Sequence, residues 1–156
     1  MKGPWKKKLI ERFGGSVRSL LSGFSRAGPD RDPHGNGIVF YKDLEAKQTT
    51  IFFAMEISPK RSGFTFEGAW SKSPTFPDFL PPLDPKEIAG EAEGRFRVGA
   101  LMEEIEAMDH WWWIRTESEI DEVLDAGLDV LTATLVPFLE SIGDSIPDID
   151  PALEEQ

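Results

Sequence analysis

Few residues of this 156-residue chain could do chemistry, and His110 is the first of them. The imidazole of a histidine changes its charge near neutral pH, which makes His110 the best general-base candidate. Asp109 is adjacent, but neighbouring residues of a strand point to opposite faces, so we do not expect its carboxylate to orient the ring. The ordinary interpretation of His110 is a partly exposed residue at the start of a strand.

Two arginines and two glutamates are the other charged candidates. Arg95 and Arg97 share one face if their segment is extended, and we expect one of them to pair with Asp109 in a structural role. Glu56 and Glu67 fall on neighbouring predicted strands and point away from the apolar side. Such a pair of carboxylates could act as acid and base, but acids at these positions are more often solvated or paired with Lys or Arg.

The usual signatures of catalysis and cofactor binding are missing from the sequence. The chain has no cysteine, which excludes disulfides, thiolate metal sites and cysteine nucleophiles. His34 and His110 lack the spacing of a metal site, and the sequence contains neither a phosphate-binding loop nor a GxGxxG motif. We therefore predict no catalytic residue, no cofactor and no metal, and the sequence favours a protein that is not an enzyme.

Three consecutive tryptophans, Trp111 to Trp113, follow His110. In a strand, Trp112 lies with Ile114 on one face, and the other two tryptophans lie on the opposite face. We expect Trp112 and Ile114 to face the C-terminal helix and to belong to the core. Trp111 and Trp113 are then the pair that is available to a ligand or a partner.

Hydrophobic periodicity predicts a single α+β domain over residues 1–142. One helix should begin after Pro4, and a second should begin at a capping box of Thr116 and Glu119. Pro137 should end or kink that second helix. We therefore expect an antiparallel β-sheet of about five strands, packed on one face by an N-terminal and a C-terminal helix. The predicted strands are 38–44, 49–58, 63–71, the segment from Arg95 toward Leu101 and the tryptophan segment, with a short helix over 102–108.

A proline-rich insertion interrupts the predicted sheet over residues 72–94. Phe76 and Phe79 lie among its prolines, which makes the segment too apolar for a solvated linker. We expect a surface loop with its aromatic rings tucked against the domain, followed by one or two helical turns between Lys86 and Glu93. A mobile binding loop is the alternative.

The net charge of −11 is unevenly distributed. Residues 1–102 hold 16 basic and 12 acidic residues, which gives +4, and residues 103–156 hold one basic and 16 acidic residues, which gives −15. This acidic third is either a solvated helix face or a surface for a protein partner with a basic surface, and it argues against nucleic-acid binding. Residues 143–156 should form an acidic, flexible tail. Without a membrane-length apolar run or a signal peptide, we expect a cytoplasmic protein that does not enter a membrane.

Three motifs stand in order along the second half of the chain: Arg95-x-Arg97-x-Gly99-x-Leu101, then Asp109-x-Trp111-Trp112-x-Ile114, then a helix ending in Pro137-Phe138-Leu139. With the opening helix and the strand over 64–70, they resemble the domain of unknown function 4304 family of small bacterial proteins over most of residues 5–142. Trp113 and the insertion over 72–93 depart from the family pattern. The resemblance implies helices against an antiparallel sheet and no particular reaction. By analogy, small acidic proteins of this kind are similar to the immunity proteins of bacterial toxin systems.

Three functions are open at this point. The first is a non-enzymatic protein-binding domain, of which an immunity-type inhibitor of a toxin is one form. The second is a small-ligand-binding module with an aromatic platform, and the third is a small enzyme that uses His110 with Arg95 and Arg97. The sequence does not predict an oligomeric state. The candidate interaction residues are Trp111, Trp113, Arg95, Arg97, Asp109, His110, Phe76 and Phe79.

Overall fold

A computed structural model describes residues 4–33, 37–102 and 110–145 and shows the predicted α+β fold. An antiparallel sheet is packed on one face by an N-terminal helix and a C-terminal helical segment, which confirms the predicted fold class. The helices are α1 (Trp5–Leu20), α2 (Pro85–Ile88), α3 (Ile120–Val130) and α4 (Val136–Ser145). The strands are β1 (Ser25–Arg26), β2 (Gly37–Leu44), β3 (Thr49–Ile57), β4 (Gly63–Ser71), β5 (Gly94–Arg97) and β6 (Trp112–Trp113).

The sheet has an inner face, which packs against α1, α3 and α4, and an outer face on the opposite side. Side chains alternate along each strand, so β3 directs Phe53 inward and Phe52 outward. Apolar residues at helical spacing on α1, such as Leu9 and Phe13, meet the inner face and form the main core. Phe76, from the proline-rich segment, packs on the outer face in a second and smaller apolar cluster.

Two short strands share one edge of β4. The strands follow the order β1-β2-β3-β4-β5, and each pair is antiparallel. β5 pairs with residues 67–70 of β4, and β6 pairs with Gly63 and Phe64 further along the same strand. The tryptophan segment is therefore part of the sheet, as predicted, but only two of its residues form a strand. The short helix predicted over 102–108 lies outside the described residues except for Met102, which is not helical.

Glycines at this edge are covered by aromatic rings from the facing strand. A Cβ atom at Gly68 would lie 2.4 Å from the ring of Phe96, its partner in the ladder. Because Gly68 has no side chain, the ring comes close to the glycine backbone, an arrangement that stabilises glycine in a sheet. The three ladder pairs of this kind are Gly63 with Trp113, Gly68 with Phe96 and Gly94 with Trp70.

The C-terminal helical segment differs from the prediction at both ends. Thr116 starts a 3-10 turn rather than an α-helix, its side chain caps no backbone N–H, and Glu119 Oε2 accepts the N–H of Arg115. Pro137 does not end the helix, because a π-helical turn (Leu131–Leu135) directly before it accommodates the residue that cannot donate a backbone hydrogen bond. Helix α4 then continues to Ser145.

The sequence predicted that a flexible tail begins at residue 143, and this is wrong for residues 143–145, which belong to α4. Gly143 is a buried part of α4, and a Cβ atom there would lie 2.6 Å from Leu44. The helix continues because its apolar face still has the sheet to pack against at Ile142. Residues 146–156 of the predicted tail lie outside the described residues.

Candidate functional site on the outer face of the sheet

An arginine–glutamate cluster lies on the outer face where β3, β4 and β5 adjoin. Arg95 Nη2 donates to both carboxylate oxygens of Glu67 at 3.0 Å, and Arg95 Nε donates to Oε2 at 3.3 Å. Arg97 Nη1 donates to Glu56 Oε2 at 2.7 Å, and its Nη2 lies 3.6 Å from Glu67 Oε1. Each glutamate is therefore paired with an arginine, which is the ordinary interpretation of acids at these positions. The two carboxylates are not arranged as an acid/base pair.

Glu67 is the most buried charged group in the described part of the chain, with 4% of its surface exposed. Burial raises the pKa of its carboxyl group above the ordinary value, against the opposing effect of the Arg95 charge. A buried carboxylate needs such partners, because an unpaired charge is costly in a medium of low dielectric constant. The predicted partner of the arginines, Asp109, lies outside the described residues.

Arg95 also holds the proline-rich segment against the domain. Its Nη1 donates to the backbone carbonyl oxygens of Asp78 at 3.1 Å and Leu80 at 3.0 Å. Its own carbonyl oxygen accepts the N–H of Leu83 at 3.0 Å. One arginine thus joins a buried carboxylate of the sheet to three backbone groups of a loop, which we call the clamped loop (residues 76–83).

The clamped loop has one aromatic ring packed inward and one exposed. Phe76 is buried, its ring meets Phe52 edge to face at 5.7 Å, and its N–H donates to the carbonyl oxygen of Arg31 at 2.8 Å. Phe79 is 72% exposed, between the two residues whose carbonyl groups Arg95 binds. The expectation that the aromatic rings tuck inward is therefore right for Phe76 and wrong for Phe79.

A cleft of about 330 Å³ lies between the clamped loop and the outer face. Glu67, Phe76, Asp78 and Arg95 line it, with Glu56 at the side of β3. Glu67 and Arg95 pair with each other across the cleft, and Glu56 pairs with Arg97. These three lining residues therefore already have charged partners within the protein.

The tryptophans divide between the two sides as predicted. Trp112 stacks on Phe64 with ring centroids 5.6 Å apart, and Ile114 is buried in the main core. Trp111 and Trp113 stack on each other on the opposite side, with centroids 5.6 Å apart and planes 16° apart. The guanidinium of Arg61 lies 4.0 Å from the centre of the Trp113 ring, a cation–π contact. A planar ligand on Trp113 would compete with these two contacts.

His110 does not join the arginines. Its ring meets Trp112 edge to face at 4.6 Å, and Trp112 packs against the inner-face residues Phe64 and Phe66. Its carbonyl oxygen accepts the hydroxyl of Thr65. Burial lowers the pKa of the His110 imidazole below its ordinary value. The His110 ring thus contacts Trp112, whereas Arg95 and Arg97 contact the outer-face glutamates.

Sequence reasoning missed a second support of the clamped loop. Arg31 binds both carboxylate oxygens of Asp43, at 3.0 and 3.1 Å, and its guanidinium lies 3.8 Å from the centre of the Tyr41 ring. The guanidinium lowers the pKa of the Asp43 carboxyl group. Arg31 lies in a turn-rich stretch without periodicity, so nothing in the sequence indicated which strand it would meet.

The described part of the acidic third includes an exposed acidic helix face on α3. Four acidic residues of α3 are exposed, and only Asp121 forms an ion pair among the described residues, with Arg12 at 3.4 Å. The described helices include none that is long and apolar enough to cross a membrane. Within the same residues, no group of three His, Cys, Asp or Glu side chains could hold a metal ion. The four acidic residues are Asp121, Glu122, Asp125 and Asp129.

Comparison with other proteins adds no relative. No protein-family model matches this chain, and neither a curated protein nor a solved structure matches it. The similarity to the domain of unknown function 4304 family therefore stays a prediction from sequence motifs. The function has to be inferred from the geometry of the site.

Proposed function

We propose that this protein is a non-enzymatic protein-binding domain that contacts its partner through the clamped loop. The observation that carries the proposal is the position of Phe79, a large aromatic residue that is 72% exposed on a loop held by the hydrogen bonds of Arg95. Aromatic residues, phenylalanine among them, are enriched at protein–protein interfaces relative to the rest of the surface. A water-exposed ring on an ordered loop therefore supports a role in binding.

The order of the loop strengthens the proposal, because binding is weakened by the entropy of ordering a mobile segment. Phe76 anchors one end of the clamped loop in the outer-face cluster, and the hydrogen bond from Leu83 N to the carbonyl oxygen of Arg95 fixes the other end. Leu83 is itself 43% exposed. The two exposed apolar side chains, Phe79 and Leu83, are thus presented on a backbone that is already in place.

The charge around the loop favours a partner with a basic surface. Residues 78–93 contain five acidic residues and one lysine, Lys86, which gives a net charge of −4. Opposite charge on a partner would speed encounter and orient it. An immunity-type inhibitor that covers a basic region of a bacterial toxin is the form of this function that we propose. The exposed face of α3, which packs on the inner face of the sheet, carries charge of the same sign.

Site-specific photo-crosslinking tests the proposal. A benzophenone amino acid replaces Phe79 in one variant and Leu20 in another, and both are expressed in the native host. Leu20 is the matched control because it is an exposed apolar residue, 59% accessible, at the end of α1. We expect a discrete adduct with one protein from position 79 only, and we expect wild-type protein to compete for it better than Phe79→Ala.

Two outcomes would count against this function. The same set of adducts from positions 79 and 20 would mean that the loop has no specific partner. An unchanged affinity of Phe79→Ala for the captured protein would mean that the ring is not a contact. If the partner is a toxin, co-expression should relieve its lethality, and Phe79→Ala should relieve it less.

A further inference from the structure

A groove at the opposite end of β4 from the clamped loop collects positive charge from three separate segments. Lys6 comes from the first turn of α1, Lys60 and Arg61 from the turn between β3 and β4, and Arg115 from the residues after β6. Trp5 and Trp113 form its aromatic walls, and its volume is about 520 Å³. We call these six residues the basic groove.

The charge of the basic groove is unusual for this chain. Its four cationic side chains form no ion pair with any residue in the described part of the chain, and no carboxylate lines the groove. The protein as a whole carries a net charge of −11, so cations could easily have been paired with acids. Four like charges with no ion-pair partner among the described residues repel one another, and a bound anion would remove that repulsion.

From this arrangement we infer that the basic groove binds a small phosphate-bearing ligand, a function independent of the clamped loop. Arginine presents a planar fork of donors that fits phosphate oxygens, and lysine adds a point charge. Arg61 is held in place at two points. Its guanidinium lies on the Trp113 ring, and its backbone N–H donates to Ser58 Oγ at 3.2 Å. The volume lies within the range of small-molecule sites, roughly 300–1,000 Å³.

The surroundings favour a compact ligand over a nucleic-acid strand. On the far side of Trp113 and Arg115, the surface is lined by Glu119 and Glu122, which would repel an extended chain of phosphates. The cationic surface is therefore short and bounded by acids. A diphosphate or a mononucleotide is therefore the ligand class that we favour over an extended strand.

Nuclear magnetic resonance with inorganic pyrophosphate as the probe tests this site, because the five tryptophans give separate indole N–H signals. At low ionic strength, we expect saturable shifts of the Trp5 and Trp113 signals. The Trp70 signal should not move, because that indole is fully buried and donates to the carbonyl oxygen of Glu91. ATP should shift the same two signals.

Charge-removing variants locate the site. Arg115→Gln and Lys60→Gln should each weaken pyrophosphate binding roughly tenfold, since each removes one charged contact. Arg18→Gln, an exposed arginine in the last turn of α1, is the matched control and should leave the affinity unchanged. Circular dichroism checks that each variant is folded.

Three results would overturn the inference. The first is the absence of saturable shifts with both probes, and the second is equal weakening by Arg18→Gln and Arg115→Gln. The third is tighter binding of a decathymidylate or a glutamate decapeptide than of pyrophosphate through the same two signals. That result would assign the groove to nucleic acid or to an acidic peptide instead.

Discussion

Removing the guanidinium of Arg95 should destabilise the protein by about 3–5 kcal/mol, the usual effect of breaking a buried ion pair from one side. The side chains of Arg95 and Glu67 are only 17% and 5% exposed, so the Arg95→Ala variant leaves Glu67 with little access to water. The substitution also removes two hydrogen bonds to the clamped loop, at Asp78 and Leu80. Urea unfolding followed by circular dichroism measures the loss.

An exposed ion pair of the same chemistry is the control. Arg12 and Asp121 lie 3.4 Å apart, with side chains that are 54% and 56% exposed, and such pairs contribute about 0–1 kcal/mol. Arg12→Ala should therefore have a small effect. Equal losses of stability in Arg12→Ala and Arg95→Ala would refute the reasoning, because burial would then make no difference.

The pair of Arg95 and Glu67 also predicts how the stability of the protein depends on pH. Because burial raises the folded-state pKa of Glu67, the folded protein binds this proton more readily than the unfolded chain. The stabilising contribution of Glu67 is therefore fully present below the pKa of the unfolded carboxyl group and is lost as pH rises through the raised folded-state value. Glu67→Gln should flatten this part of the stability curve. Arg95→Ala should extend it to higher pH, since the loss of a positive charge raises the pKa of Glu67 further.

Three further substitutions test other parts of the structure. Gly68→Ala should lower the free energy of unfolding by about 1–3 kcal/mol, because its Cβ would meet the Phe96 ring, whereas Gly90→Ala, with no atom within 4 Å of its Cβ, should not. Phe76→Ala should cost about 3–5 kcal/mol and should speed amide hydrogen exchange in the clamped loop, and unchanged exchange would show that the ring does not anchor it. His110→Gln should remove a loss of stability that the wild type shows as pH falls through about 6.5, the pKa of the unfolded imidazole, because burial lowers the folded-state value.

Strands and helices were largely predictable because their side chains repeat with a period. The alternation in β4 predicted its range correctly, and the apolar stripe of α1 predicted the buried Leu9, Phe13 and Val17. It also included Leu20, which is 59% exposed. The ends of the C-terminal helix were not predictable in the same way. They depend on how the sheet and the neighbouring turn satisfy backbone groups near Thr116 and Pro137, which is a property of the folded domain.

The sequence predicted which residues belong to the candidate site better than it predicted the contacts that they make. The sequence singled out Arg95, Arg97 and Phe76 as candidates and left ion pairing as the ordinary interpretation of the two glutamates. It could not show that β5 lies beside β4, which is what brings Arg95 to Glu67. Local sequence also did not distinguish Phe76 from Phe79, because the clamped loop has no periodicity. The basic groove is formed by three segments that lie far apart in the sequence, so no local sequence pattern predicted it.

The shared edge of β4 has a consequence for aggregation. The pairing of β6 with Gly63 and Phe64 involves two residues, as does that of β1 with β2, so these are the parts of the sheet that open most easily. Opening the β6 pairing would expose unpaired backbone groups beside Phe64 and Phe66, in a segment of high strand propensity that could pair with another chain. The stacking of Trp112 on Phe64 joins β6 to β4, and we expect it also to disfavour the pairing of this edge with the sheet of a neighbouring molecule.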